Sequence, residues 1–382
     1  MERNYLLKYK NSDIPSPAYI IDTDAIERNL EIIDRIQTES RAKVLLALKG
    51  FATVATFPIL KKVLKGVCTS SLHEAKLGRE CFGNEIHTYS PAYKGNEIDE
   101  INTISNSIIF NSINQWEKYK HIYKPNKKYG IRINPEHSET NVDIYNPCSA
   151  ESRLGMKANQ LDQLDLGKLS GAHMHSLCQN GADSLERTLE IVEKNFSKLL
   201  NHISWFNAGG GHFLTHPDYD IEKLVTILNR FQKKYDLQVY LEPGEAIVWK
   251  TGILMSTVLD IIPGEVNNAI LDTSVTCHMP DVLEMPYRPE IENAADKNVY
   301  PYNYNLGGVS CLAGDTLGCY SFQKPLKIGQ TIELNDMSQY TMVKSTTFNG
   351  IQLPSVVLVS TKNNTQEIVQ KFSYTDFKSR LV

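Results

Sequence analysis

Between residues 44 and 243 the chain alternates short β-branched or aromatic runs with amphipathic stretches of helical period, and it does so eight times. The runs begin near Val44, Gly66, Glu85, Ser107, Tyr129, Ser170, Ile203 and Gln238. The stretches Ile59 to Leu64, Leu72 to Cys81, Gln115 to Ile122, Leu185 to Leu200 and Ile221 to Tyr235 carry apolar residues three and four apart. Strands separated by helices pair in parallel through crossovers, and eight such units predict a closed (β/α)8 TIM barrel, an α/β fold class. After Glu242 the pattern changes. Gly252 to Ile262, Ala269 to Asp272, Thr331 to Leu334 and Ser355 to Val359 read as strands between Pro, Gly and Asn turns, which predicts a C-terminal all-β domain of barrel or sandwich form. Ala18-Tyr19-Ile20-Ile21-Asp22 also reads as a strand, precedes a helical stretch from Asp24 to Gln37, and is expected to join the β domain. The expected division is 1–35 with the β domain, 36–246 as the barrel and 247–382 as the β domain itself.

At 382 residues the chain exceeds a single ordinary core, which agrees with a barrel plus a second domain. A net charge of -4 and no long basic stripe argue against nucleic acid as a partner. Lys124-Pro125-Asn126-Lys127-Lys128 reads as a solvated loop. Met1 to Ser12 is polar and basic, and no apolar stretch is long enough to span a bilayer, so no membrane association and a cytoplasmic location are expected. The seven cysteines form no CxxC pair, so neither a disulfide framework nor a zinc knuckle is indicated.

A barrel presents its chemistry where strands end. Lys49 closes the apolar run from Val44 to Leu48; an amine in such a dry place has a depressed pKa and can condense with a carbonyl, although a lysine can also simply mark a strand end. Ser70-Ser71, His173-Met174-His175, Asn207 to Gly211 and Glu242-Pro243-Gly244-Glu245 close other strands on the same face. Gly209, Gly210 and Gly211 can form either a flexible turn or a seat whose N–H groups meet an anion, and Gly244 follows the neighbouring strand. His173 and His175, two apart, should face opposite sides of their strand, one of them structural, with His175 as the ring that stacks on a ligand. His175 and Glu242 lack a third partner at metal-ligand spacing, so no metal is expected.

These motifs resemble, in order and over nearly the whole chain, the alanine racemase-like, fold type III group of pyridoxal phosphate enzymes that includes the ornithine and diaminopimelate decarboxylases. Pro17 to Asp22 looks like its first strand and Ala47-Leu48-Lys49 like its cofactor-linking lysine motif. Gly171 to His175 resembles its ring-stacking segment, Gly209 to Gly211 its phosphate loop and Glu242-Pro243-Gly244 its pyridinium partner. Gly308-Val309-Ser310-Cys311, with Asp315, is similar to the loop that reaches into a partner subunit's site. Asp336 to Thr341 is similar to the segment whose tyrosine, here Tyr340, contacts the cofactor phosphate, and Thr347 to Gly350 follows it. The resemblance implies pyridoxal 5'-phosphate as cofactor, a homodimer with shared sites, and decarboxylation rather than racemisation, because Glu242 stands where a racemase sets an arginine. It also implies Cys311 as the acid that protonates the product carbon.

One departure bears on substrate. Related decarboxylases commonly carry arginine after Glu-Pro-Gly; here the residue is Glu245, which would repel anions and favour a cationic tail. Asp281, Glu284 and Asp315 could extend an acidic channel. With the segments His278 to Pro289, including Arg288, and Tyr300 to Gly308, this pattern resembles the polyamine-forming decarboxylases of that group, and the resemblance implies a carboxylated polyamine as the small-molecule substrate. The rival readings are diaminopimelate or ornithine as substrate, and a non-catalytic cofactor-binding regulator. Arg153 either braces the cofactor side of the barrel or caps a loop.

Overall fold

The computed structural model describes residues 13–140, 146–285 and 287–382. Met1 to Ser12, and Pro286 of the His278 to Pro289 segment, fall outside the described residues. The chain divides into two units: Arg28–Ile247, and Met1–Glu27 together with Val248–Val382. The first boundary falls inside helix α1 (Thr23–Ser40), which follows strand β1 (Ala18–Asp22). Asp22 starts that helix, its Oδ1 accepting from the N–H groups of Asp24 at 2.8 Å and Ala25 at 3.2 Å.

In the first unit eight strands close in parallel: β2 (Lys43–Ala47), β3 (Gly66–Thr69), β4 (Glu85–Tyr89), β5 (Ser107–Phe110), β6 (Lys128–Arg132), β7 (Gly171–His173), β8 (Trp205–Asn207) and β9 (Gln238–Leu241). Each pairs with the next and β9 closes on β2 through Lys43 opposite Tyr240. The barrel strands thus begin within two residues of the positions read from sequence. The helix Ile221–Tyr235 also matches its reading; Asp220 caps it by accepting from Lys223 N–H at 2.9 Å, and Asp236 ends it at φ +54°. A short helix, Ile98–Ile104, was not legible, because seven residues span too few turns for a periodic signal. Lys128 is not loop but the first residue of β6, so the expected basic loop ends one residue earlier.

Inside the barrel Trp205 sets the packing. An added methyl on Gly171 would lie 1.9 Å from its indole, and one on Gly130 2.5 Å away, so these inward positions are glycine because the neighbouring strand fills their space. Leu45, Ile109 and Tyr240 complete that cluster.

The second unit is a nine-stranded sheet ordered β12-β14-β13-β11-β10-β1-β16-β17, with β15 also pairing β10. Its strands after the barrel are β10 (Gly252–Ile262), β11 (Asn267–Leu271), β12 (Ala294–Asp296), β13 (Tyr302–Gly307), β14 (Thr316–Phe322), β15 (Thr331–Asn335), β16 (Ser355–Ser360) and β17 (Thr365–Gln370). β1 lies between β10 and β16, antiparallel to one and parallel to the other. Its Tyr19 packs with Leu254, Leu306 and Leu334, whereas Ala18 and Ile20 pack with Met255 and Val357. Two buried faces explain a continuous apolar run in place of alternation. Four strands of this unit, β12, β13, β14 and β17, escaped the sequence reading, and the unit also carries short helices.

Candidate active site

Lys49 sits two residues beyond β2, in a turn closed by Gly50 N–H to Ala47 O at 3.0 Å. The strand end is fixed from both sides, by Ala47 N–H to Pro243 O and Leu48 N–H to Cys68 O, each 3.1 Å. The lysine side chain reaches solvent, yet protein crowds it; the crowding lowers its pKa, with Cys68 and Glu242 opposing and Arg132 adding to the effect. No protein group among the described residues takes a hydrogen bond from its amine. The result is an amine in a confined, accessible place, the state in which it attacks a carbonyl.

Glu242 is buried just past β9. His173 Nε2 lies 3.2 Å from its Oε2, and Asn207 Nδ2 donates to its Oε1 at 2.5 Å. Burial works to raise this carboxyl's pKa, but these bonds hold it below the ordinary carboxylate range. His173, at the end of β7, is itself pushed down by burial, so a neutral ring with its proton on Nε2 fits the contact. Of the two histidines, His173 is the one tied to Glu242, and Tyr89 stacks on it at 5.3 Å with Arg132 over the tyrosine at 4.7 Å.

His175 lies in the loop after β7, and Gly210 N–H donates to its Nδ1 at 2.9 Å. That bond fixes the proton on Nε2, and burial drives the ring's pKa well down, so the imidazole is neutral. The glycine turn also differs from expectation. Gly209 N–H donates to Asn207 Oδ1 at 2.9 Å and Gly210 N–H is taken by His175, which leaves the Gly211 N–H as the amide of this turn with no protein acceptor among the described residues. The glycines are required by close approach: methyls there would lie 2.3 Å from Met174 O, 2.4 Å from Glu242 O and 1.9 Å from Leu177 O, with Gly209 and Gly211 at positive φ. Gly244 packs against Gly50 and Ala47 in the same way. Glu245 accepts from Gln179 Nε2 at 2.6 Å.

Three residues of this centre were not singled out from sequence. Glu74 accepts from Ser70 N–H at 2.6 Å; burial raises its pKa while Lys49 opposes. Arg132 and Cys68 complete the set; the signal that could have found them is position, since each lies at or next to a strand's carboxyl end. Arg153 offers its carbonyl to Asn111 Nδ2 at 2.9 Å.

The remaining sequence-selected residues belong to the sheet unit. Cys311 is exposed, its N–H donating to Asn349 Oδ1 at 2.9 Å. Asp315 is not an open acid: it is buried and accepts from Val275, Thr276 and Ser310 N–H at 2.6, 3.2 and 3.0 Å, so its carboxylate braces the loop that carries Cys311. Asp281 and Glu284 both hold Lys344, at 2.5 and 2.6 Å. Arg288 is fastened to Asp296 at 2.9 Å and over the Tyr320 ring at 3.5 Å. Tyr340 adopts φ +52°, with the Lys344 amine 6.0 Å from its ring.

The barrel centre fits pyridoxal phosphate by its donor set: a crowded amine for the aldehyde, a neutral imidazole face, an ionised carboxylate and a glycine cradle that no Cβ could share. The chain belongs to the pyridoxal-dependent decarboxylase family: the family model described as "Pyridoxal-dependent decarboxylase, C-terminal sheet domain" matches residues 18–338. Within it the chain is 44% identical, over 96% of its length and 98% of the relative's, to a carboxynorspermidine/carboxyspermidine decarboxylase of Campylobacter jejuni. It is also 42% identical, over 99% and 98%, to a carboxyaminopropylagmatine decarboxylase of Synechocystis sp.. The crystal structure of a Campylobacter jejuni carboxynorspermidine decarboxylase complexed with norspermidine superposes with a TM-score of 0.90 at 43% identity, covering 96% of this chain and 100% of that one. The protein is a pyridoxal phosphate-dependent decarboxylase.

Proposed function

We propose that the protein decarboxylates carboxynorspermidine and carboxyspermidine, giving norspermidine and spermidine in polyamine biosynthesis. The observation that carries this is Glu245, a carboxylate one residue beyond Glu242-Pro243-Gly244, which accepts a hydrogen bond from the Gln179 amide. Glu245 is suited to an ammonium group of the substrate tail and disfavours the second carboxylate of diaminopimelate. Support also comes from relatives of similar name at 44% and 39% identity.

When bound, pyridoxal phosphate supplies the electron sink for the breaking C–C bond. The Lys49 amine would hold its aldehyde group. Glu242, oriented by His173 and Asn207, holds the ring proton. His175 covers the ring face; Gly211 and Gly244 offer amides to the phosphate, and Tyr340 a hydroxyl. Cys311 delivers the proton that replaces the lost carboxylate. Asp281 and Arg288, each held in its own ion pair, have at most a minor part in binding substrate, and Asp315 acts through the loop it braces.

The protein acts as a homodimer in the cytoplasm, each barrel completed by Cys311 of a second copy. Exposed Val309, Leu312 and Phe348 near Cys311 and its Asn349 support offer an apolar surface for that contact. The described chain holds free cysteines only, and none of its described helices is long and apolar enough to cross a membrane. The 42% identity to the Synechocystis protein favours a second reading, carboxyaminopropylagmatine, whose guanidinium Glu245 could also receive. The test is release of CO2 from carboxynorspermidine, carboxyspermidine, carboxyaminopropylagmatine, diaminopimelate and ornithine. Fastest turnover of the first two is expected; preference for either amino acid without a polyamine tail overturns the assignment.

A further inference from the structure

Near its carboxyl end the chain forms a helix, Tyr374–Lys378, of five residues, none of them fully buried. A helix so short does not persist by its own hydrogen bonds, even with its start closed by Asp376 Oδ2, which accepts from Ser373 N–H at 2.6 Å and from Ser373 Oγ at 3.1 Å. What it rests on is the turn around residues 347–352. The Phe377 ring lies 3.5 Å from where a methyl on Gly350 would stand, and Gln352 Nε2 donates to Phe372 O at 2.9 Å. A cavity of about 220 Å³, lined by Thr347, Gly350, Gln352, Phe372, Asp376 and Phe377 among others, remains beside these contacts, so the helix props the turn without closing a core over it.

The propped turn carries Asn349, whose Oδ1 accepts from Cys311 N–H at 2.9 Å. Asn349 and Gly350 are consecutive left-handed residues, at φ +57° and +73°. Backbone of that kind is costly outside glycine, so the turn keeps its shape only with support from its surroundings. On its near side the support is the helix Val275–His278: Thr346 N–H donates to Cys277 O at 2.8 Å, and Cys277 Sγ donates to Phe348 O at 3.5 Å. The same helix binds Asp315 through Val275 and Thr276 N–H, and Asp315 takes Ser310 N–H. One base therefore carries both the Cys311 loop and the entry to the Asn349 turn. The exit of the turn, at Gly350, is where Phe377 sits.

We infer that the C-terminal segment 372–378, through Phe377 on Gly350 and Gln352 on Phe372, holds Asn349 in place and thereby positions Cys311. Phe377 is a positioning residue for the proton donor, acting through Asn349. This rests on the assignment of Cys311 as that donor.

The test is residue-resolved amide hydrogen exchange of the full chain with pyridoxal phosphate, together with kcat and KM on carboxynorspermidine, in the parent, F377A, F377L, Q352A, C311S and F377A/C311S. F377A is expected to raise exchange of the Cys311 amide about tenfold, and to lower kcat about tenfold with KM within about twofold of the parent. F377L, which refills the space over Gly350, should return most of both. In the C311S background F377A should lower kcat no further, because the donor it places is gone. Parent-like exchange at Cys311 in F377A overturns the inference, as does a kcat loss of the same size in C311S, which marks a general loss of packing. Should F377A fail to fold, Q352A decides, since it removes only an exposed tie: a rise of about threefold in Cys311 exchange supports the inference and no rise overturns it. Exchange needs no substrate, so the two readings fail differently: parent-like turnover in C311S removes the donor assignment, whereas an unmoved Cys311 amide removes the positioning.

Discussion

The barrel and the sheet unit hold their functional candidates by different means. In the barrel Lys49, His173, Asn207 and Glu242 stand at or just beyond the ends of paired strands, and each influences the next: Asn207 and His173 hold Glu242, and Glu242 and Cys68 act on Lys49. In the sheet unit Cys311, Asp315, Asp281, Arg288 and Tyr340 lie outside strands, and their anchors are separate: Asn349 for Cys311, backbone amides for Asp315, Lys344 for Asp281, Asp296 for Arg288. A centre built on strand ends is an electrostatic unit whose members cannot be changed singly. Residues on independent anchors can be altered one at a time, and evolution of substrate range has more freedom there.

The largest expected effect breaks the barrel's unit at its nucleophile. K49A should lower decarboxylation by at least about a thousandfold. Borohydride reduction, which in the parent should fix a pyridoxyl group at position 49, should label nothing in K49A. Thermal stability should not fall, since a crowded amine is removed. An active, labelled K49A would place the chemistry elsewhere.

Acid should strain both units, the barrel more because His173 and His175 are also held down by burial. His212 in the barrel and His278 in the sheet unit are each buried, and burial lowers each pKa from 6.5 to about 4. The unfolded chain takes up these protons near pH 6.5 whereas the folded one resists until about 4. Stability is therefore complete above 6.5 and falls as pH drops toward 4, by up to about 3 kcal/mol for each ring. Amide hydrogen exchange from pH 7 to 4.5 should show protection falling in both units. In H212N the barrel's share of the slope should shrink, with His173 and His175 keeping the rest, while that of the sheet unit remains; an unchanged barrel slope would assign acid sensitivity to other groups.

Independent anchoring predicts that the Cys311 loop tolerates substitution. C311S should fold as the parent and lose about a hundredfold in turnover. Mixing C311S with K49A should restore activity in about a quarter of the sites if barrel and loop come from different copies. No recovery after subunit exchange would break the shared-site reading.

How far the two units were legible follows from the same contrast. Barrel strands such as β2 and β5 are apolar on both faces and lie between helical stretches, so their sequence has one interpretation. In the sheet unit β13 (Tyr302–Gly307) buries only Tyr304 and Leu306 among asparagines, and β17 (Thr365–Gln370) is a polar edge strand; both look like turns. The candidate site was legible where family motifs sit on strand ends: Lys49, His175, Glu242. What each group is bonded to was not. That Gly210 spends its amide on His175, or that Asp315 is closed off by three backbone N–H groups, depends on loop geometry that residue type does not encode.

The smallest effects set Glu245 against Asp281, one carboxylate from each unit. Asp281 is neutralised by Lys344, and their mutual contact is partly exposed, so D281N should cost less than about 1 kcal/mol of stability and leave KM within about twofold of the parent. Glu245 is the carboxylate assigned to an ammonium of the tail, so E245Q should raise KM for a polyamine substrate about tenfold, or 1.4 kcal/mol, with kcat little changed. Raising salt from 0.05 to 0.5 M should narrow the gap between parent and E245Q, as screening weakens an exposed attraction. Should D281N shift KM more than E245Q, the tail is read by the sheet unit, and Lys344 must leave Asp281 when substrate binds.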